Sequence, residues 1–437
     1  MKSAFQKLLA ALARVTLWRH KPLIVAITGS VGKTSTKEAI FAVLRAKHRV
    51  RRSEKNYNTE IGVPLTILGI PHYGRSVFKW FSALIRVAFR VLFRVHEYPE
   101  ILVLEMGADR PGDIAYLARL APPFVGVITA IGEIPVHVEF FAGPMEVAKE
   151  KAKLIEALRP DGYAVLNCDD AAVAELAHRT AARVFSYGFS RDAGVEIKNY
   201  RLEGGAAAQE RGRPAGIHFQ LIHGRRLAGL RLSNAFGMQQ AYAAAAAACV
   251  GLIFNMSLQE VVEALRGYEP PPGRLKLLRG NRSTMILDDT YNASPASTRA
   301  ALAVLAEFPA KRRIAVLGDM LELGTYTEAA HRSIGEEVAR CADLFFAVGE
   351  RMKFAMDEAT AAGLGRPRRL TSERVFWFSG SHEVGRKLES ILQPGDVILV
   401  KGSQSMRMEK VVLEIMQEPE RASELLVRQE EGWLREG

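Results

Sequence analysis

VAITGSVGKTS, residues 25–35, starts as an apolar strand and breaks at Thr28-Gly29-Ser30-Val31-Gly32 before Lys33-Thr34-Ser35 opens a helix. Strand, glycine turn, Lys-Thr and helix together form a phosphate-binding loop. The glycines let backbone N–H groups close around phosphate oxygens, and the helix N-terminus adds partial positive charge. The lysine reaches the terminal phosphates, and the threonine hydroxyl suits Mg²⁺. The loop is a short form, Gly29-x-x-Gly32-Lys33-Thr34, with Ile27 where the commoner pattern has its first glycine. The expectation is an ATP site to which the rest of the chain brings reactants.

A chain of 437 residues exceeds one ordinary core, so two or three domains are expected. Cys168, Cys249 and Cys341 lie far apart, with neither metal-ligand spacing nor a disulfide framework, which fits a reducing cytoplasm. The pattern predicts no signal peptide and no spanning helix. Charge is unevenly placed. The first hundred residues hold 18 Lys and Arg against 5 Asp and Glu, and the remainder 41 against 43. A basic quarter of this kind implies a local anionic partner: phosphates or a membrane surface. It carries no recognisable nucleic-acid motif, so no nucleic-acid partner is expected.

Residues 1–21 form a basic amphipathic segment. Residues 78–95, FKWFSALIRVAFRVLFRV, contain no acid; Lys79, Arg86, Arg90 and Arg94 share one helical face and Phe81, Leu84, Ile85, Phe89 and Leu92 the other. That composition suits a helix at a membrane interface or against a protein partner; packing on the chain's own core is the structural alternative. Strands at 100–106, 125–131 and 163–167 alternate with a helix at 145–158, which predicts a mostly parallel, doubly wound sheet. Short alternating runs between 183 and 232 predict a small antiparallel sheet, and the alanine run 241–248 a tightly packed helix. Pro270-Pro271-Pro272-Gly273 marks the boundary between a central ATP-binding domain, 22–272, and a Rossmann-like α/β domain, 273–437, whose charged end from 418 reads as a solvated helix or tail.

Several motifs now stand in order: GSVGKTS at 29–35, NTEIGVP at 58–64, EMGA at 105–108, His137, KAK at 151–153, DDTYNA at 288–293, GDMLELG at 318–324 and KGS at 401–403. The chain resembles the Mur ligase family of peptidoglycan synthesis over about residues 23–414. The resemblance implies an ATP-dependent, ADP-forming amide ligase that phosphorylates a carboxylate and lets an amine attack the acyl phosphate, here joining D-alanyl-D-alanine to a muramyl-peptide carboxylate in the cytoplasm. Another Mur-like amide ligase, of folylpolyglutamate type or acting on a lipid-linked precursor, and an ATP-binding scaffold are the competing readings. By the same resemblance Gly29, Ser30, Val31, Gly32, Lys33, Thr34 and Ser35 hold the phosphates. Arg274 contacts the nucleotide, Asp289 the ribose and Gln240 the adenine edge. Thr34 and Glu105 hold a first Mg²⁺, and His137 with a carbamylated Lys153 a second, although Lys149 and Lys151 neighbour Lys153 in the same helix. Tyr291, Asn292, Asp319, Glu322, Lys401 and Ser403 face the incoming amine. Family members usually place a uridine-nucleotide-binding domain before the phosphate loop, and residues 1–21 are too few to form one, which leaves the donor's carrier, UDP or lipid, open.

Overall fold

The computed structural model describes residues 2–54, 57–74, 76–93, 98–204, 214–362, 370–371 and 373–434. The chain opens with helix α1 (Lys2–His20), strand β1 (Leu23–Thr28) and helix α2 (Lys33–Leu44). Strand β2 (Val50–Arg52), helices α3 (Gly62–Leu68) and α4 (Val77–Phe93), and strand β3 (Ile101–Glu105) follow. Next come α5 (Asp113–Leu120), β4 (Val125–Ile128), α6 (Pro144–Glu156) and β5 (Tyr163–Asn167), then β6 (Arg183–Gly188), β7 (Val195–Gly204), β8 (Pro214–His223) and β9 (Arg226–Ser233).

These strands form one nine-stranded sheet in the order β2-β3-β1-β4-β5-β6-β7-β8-β9. β1, β3, β4 and β5 are continuous apolar runs because helices cover both of their faces. β1 lies between β3 and β4, so the chain leaves it at a topological switch point. The register places Ile27 beside Glu105 and Thr28 beside Ile128, so the phosphate loop, Glu105 and Thr129 emerge together at one edge. The small antiparallel sheet expected over 183–232 is not separate. β6 pairs in parallel with β5, two residue pairs join β6 to β7, and only β7–β9 run antiparallel, as an extension of the main sheet. The alanine-rich helix Met238–Ile253 packs close: a Cβ on Gly251 would sit 2.9 Å from Val43 of α2.

The second sheet has the order β10-β11-β15-β12-β13-β14. β10 (Lys276–Gly280) runs antiparallel to β11 (Thr284–Asp289), whereas β12 (Arg312–Gly318), β13 (Leu344–Val348), β14 (Val375–Phe378) and β15 (Asp396–Lys401) are parallel. Asp289, Gly318 and Lys401 end adjacent strands, which turns their loops toward the first sheet.

Residues 2–20, the basic amphipathic segment, bury Leu9, Ala10 and Ala13 against α3 and its neighbours. The charged end differs from expectation, for it is not solvated throughout. Leu425, Leu426 and Arg428 are buried, and Arg428 donates to the Thr290 and Tyr291 carbonyls while pairing with Glu409 at 2.7 Å. Residues 94 and 95 of the basic amphipathic stretch, and 435–437 at the end, lie outside the described residues. Arg428→Ala leaves the Thr290 and Tyr291 carbonyls, the first of them buried, without this donor and removes one of Glu409's cations. It should cost about 3 kcal/mol of unfolding free energy, measured by urea denaturation; a midpoint unchanged within error would show that the tail is not part of the folded unit.

Candidate active site

The phosphate loop is fixed by glycine geometry and by β4. Gly29 has φ 147° and Gly32 φ 87°, and a Cβ on Gly29 would sit 2.0 Å from Thr129 Oγ1. Ser30 and Val31 N–H donate to the Ala130 carbonyl, and Thr129 Oγ1 donates to the Val31 carbonyl at 2.7 Å. The loop therefore has its shape before any ligand arrives. The first N–H groups of α2 lack intrahelical acceptors, as at any helix start, and its Gly32 N-cap supplies no side-chain acceptor.

Lys33 Nζ lies back over the loop and donates to the Gly29 carbonyl at 2.8 Å. Burial pushes its ammonium below the usual lysine range, against the pull of the Glu105 carboxylate. Thr34 Oγ1 donates to Glu105 Oε2 at 3.2 Å, and Asn58 Nδ2 donates to Glu105 Oε1 at 3.3 Å. Lys37, one turn further along α2 and 1% exposed, stands 3.7 Å from the same carboxylate. Asn58 and Lys37 had no role assigned from sequence. The spacing of Lys37 from Lys33, one helical turn, is the signal that places both beside Glu105.

A second group of residues arrives from the other sheet. Arg274 Nη2 donates to Thr34 Oγ1 at 3.1 Å, and its guanidinium lies 3.8 Å from the Tyr291 ring centroid. His137, at φ 68°, has Nδ1 2.5 Å from Glu322 and Nε2 3.5 Å from Asp109, so it bridges the two units. The His137 contact holds the Glu322 carboxyl below its ordinary range. Ser30, Lys33, Asn58, Glu105, His137, Arg274, Tyr291, Asn292 and Glu322 all line one cavity of about 270 Å³.

Other expected residues lie elsewhere. Lys153 is not in this cavity; it is 43% exposed and pairs with Glu156 at 2.8 Å. Lys151 is the lysine of α6 that turns inward, 2% exposed, and its pKa falls to about 7, through burial first and then the charge of Lys33. The sequence carried the signal: Val147, Lys151, Leu154 and Ile155 share one helical face, whereas Lys149 and Lys153 lie opposite. Gln240 is buried under Tyr268 and the Arg274 carbonyl, and it is Gln239 that lines the neighbouring recess with Thr36, Asn167 and Tyr242. Asp289 is engaged inside the second unit, accepting from Leu275 N–H and pairing with Lys401 at 2.6 Å. Lys401 also donates to the Asn292 carbonyl. Asp319 accepts from the Arg351 and Met352 N–H groups, and Ser403 Oγ from Leu321 N–H, so these two brace the 318–324 turn behind the cavity.

Among the described residues no three His, Cys, Asp or Glu side chains converge as a metal cluster. A hydroxyl and a buried carboxylate at Thr34 and Glu105 are hard oxygen donors of the kind Mg²⁺ takes, with substrate phosphate and water completing its shell. His137 and Lys153 do not form a second such set: both ring nitrogens of His137 face carboxylates, and Lys153 lies outside the cavity.

Comparison with known proteins agrees with this geometry. The Mur ligase middle domain matches residues 27–78 and 83–251, and the Mur ligase glutamate ligase domain matches 273–404. The UDP-N-acetylmuramoyl-tripeptide–D-alanyl-D-alanine ligase of Bacillus subtilis is 28% identical, over 94% of this chain and 79% of its own length. Its counterpart in Mycobacterium tuberculosis is 34% identical, over 87% of this chain and 70% of its own. The crystal structure of MurF ligase from Thermotoga maritima in complex with ADP superimposes with a TM-score of 0.73 at 26% identity, covering 95% of this chain and 84% of that one. With both domain profiles matched in order and the phosphate loop and its cross-unit arginine in one cavity, the chain belongs to the Mur ligase family.

Proposed function

We propose that this chain joins D-alanyl-D-alanine to the free carboxylate of a muramyl peptide, in the cytoplasm, with ATP as the activating substrate. The observation that carries the reading is the single cavity in which the phosphate loop meets Arg274, Asn292 and Glu322 of the second unit. ATP would lie along the loop, its adenine end toward the recess of Gln239 and Tyr242 and its γ-phosphate toward Lys33 and Asn58. A carboxylate oxygen attacks the γ-phosphorus and ADP leaves. The amine nitrogen then attacks the acyl carbon, the C–O bond to phosphate breaks, and the amine gives up a proton. Both steps bring anions together, so positioning and charge neutralisation decide the rate. Arg274 supplies fixed positive charge, and Lys33 adds its own once phosphate oxygens stabilise the ammonium. Thr34 and Glu105 would hold Mg²⁺, which would neutralise phosphate charge when bound. The contact of His137 with Glu322 joins the two units at the cavity, and closure there would shield the acyl phosphate from water.

Of the α6 lysines, Lys151 is the one suited to carbamylation. Only a neutral amine adds CO₂, losing a proton to give an anionic carbamate, and Lys151 is the α6 lysine whose pKa of about 7 leaves much of it neutral near pH 7. Contact with the inner face of a membrane through residues 78–95 belongs to the same reading.

Phosphate release from ATP with Mg²⁺ and UDP-muramyl-tripeptide should rise on adding D-alanyl-D-alanine and not on adding glutamate. Lys33→Ala should lower it by at least about a hundredfold; stimulation by glutamate alone would overturn the assignment of the amine. Lys151 also yields a stability test. Its folded pKa lies below the unfolded value of 10.5, so its neutral form carries no penalty above pH 10.5, and the penalty grows as pH falls toward 7. Lys151→Met should therefore gain a few kcal/mol over wild type at pH 6, with the gain fading toward pH 10. In CO₂-free buffer, a difference independent of pH would show that Lys151 is not buried as a base.

A further inference from the structure

α1 and α4 lie side by side: Phe5 and Trp80 stack edge to face with ring centroids 4.9 Å apart, over a small core of Leu9, Leu65, Ala83 and Val87. Their other faces are exposed and apolar. On α1, Leu8, Ala11, Val15 and Trp18 follow one another at helical spacing, and on α4 so do Phe78, Phe81 and Ile85. Trp18, Phe78 and Phe81 are 72%, 82% and 63% exposed, unusually high for large rings on two contacting helices of a folded protein. Beside these stripes stand Lys7, Arg14, Lys79 and Arg86, all exposed. Neither helix contains an acidic residue; Glu60, which accepts from Gln6, is the acid recorded against α1.

Three observations decide what covers this face. Large rings beside cations with long aliphatic stems match a boundary that is apolar on one side and anionic on the other. A second copy in two-fold contact would set Lys7, Arg14, Lys79 and Arg86 against their own images, with no acid in either helix to offset them. Among the described residues no helix is long and apolar enough to cross a membrane, so the helices rest on the surface instead of entering it. We propose that the joined outer faces of α1 and α4 form a docking surface for an anionic lipid bilayer. Trp18, Phe78, Phe81 and Ile85 sit at the headgroup–acyl boundary, and the four cations face lipid phosphates. The proposal deepens the reading of residues 78–95 by adding α1, and it does not depend on which amine is ligated.

The test is flotation of the full chain with vesicles of phosphatidylglycerol and phosphatidylcholine, against phosphatidylcholine alone, without ATP. The protein should float with the anionic vesicles at low salt, recede at high salt, and stay behind with neutral ones. Trp emission should shift to the blue on anionic vesicles, and most of that shift should vanish in Trp18→Phe. Each surface cation is worth about fivefold in partitioning, so Lys79→Glu with Arg86→Glu should weaken binding by at least about 25-fold. Phe81→Asp with Ile85→Asp should weaken it by about tenfold or more, while ATP-dependent phosphate release in solution continues and so shows an intact fold. Absence of flotation with anionic vesicles at low salt, equal flotation of the variants, or a concentration-dependent dimer dissolved by Phe81→Asp with Ile85→Asp would each overturn the proposal, the last by assigning the face to a second copy.

Discussion

The hydrogen bond from Arg274 Nη2 to Thr34 Oγ1 ties the second unit to the phosphate loop. Thr34 in turn donates to Glu105, so guanidinium, hydroxyl and carboxylate form a short polar chain from the second unit into the first. Tyr291 lies under the guanidinium, and Arg428 holds the Thr290–Tyr291 backbone from behind. The position of the phosphate-binding threonine is thus tied to a residue more than a hundred positions further along than Tyr291. Moving the second unit away would strip Thr34 of its donor and His137 of its Glu322 contact together, which couples closure to the assembly of the site.

The buried charges explain why such a site waits for anions. Lys37 and Lys151 are buried, Lys37 beside Glu105 and Lys151 within the field of Lys33, which itself lines the cavity. Burial drives Lys33 and Lys151 toward their neutral forms, and the charge of Lys33 lowers Lys151 further. Phosphate oxygens reverse that balance, because a nearby anion favours the charged ammonium. Binding of nucleotide therefore relieves a cost already present in the folded chain, so part of its affinity comes from the protein's own strain of charge.

Much of the fold was legible, and the misses have physical causes. The central strands read clearly because strands buried on both faces are unbroken apolar runs, and the phosphate loop read clearly because its glycines have no substitute at those φ values. The joining of β7–β9 to the main sheet was not legible, because alternation reports one covered face and says nothing about which strand lies at the edge. In the site, Lys153 was expected by motif order, although helical periodicity already favours Lys151 as the inward residue. Gln239 and Gln240 could not be separated the same way, since both precede an all-alanine face that gives no phase.

The 288–293 run shows a further limit of motif reading. Its side chains were expected to meet ribose and amine, yet Asp289 spends both oxygens within the protein, one on Leu275 N–H and one on Lys401. A buried carboxylate–ammonium pair gains little over apolar packing in stability alone, because both ions lose their water. What this pair adds is placement. Lys401 also binds the Asn292 carbonyl, and Leu275 is the neighbour of Arg274 in sequence, so Asp289 and Lys401 together fix the two segments that present Arg274 and Asn292 to the cavity. Removing either ion would leave the other buried and would release both segments. Motif residues paired within the protein can therefore set the geometry of those that line the cavity.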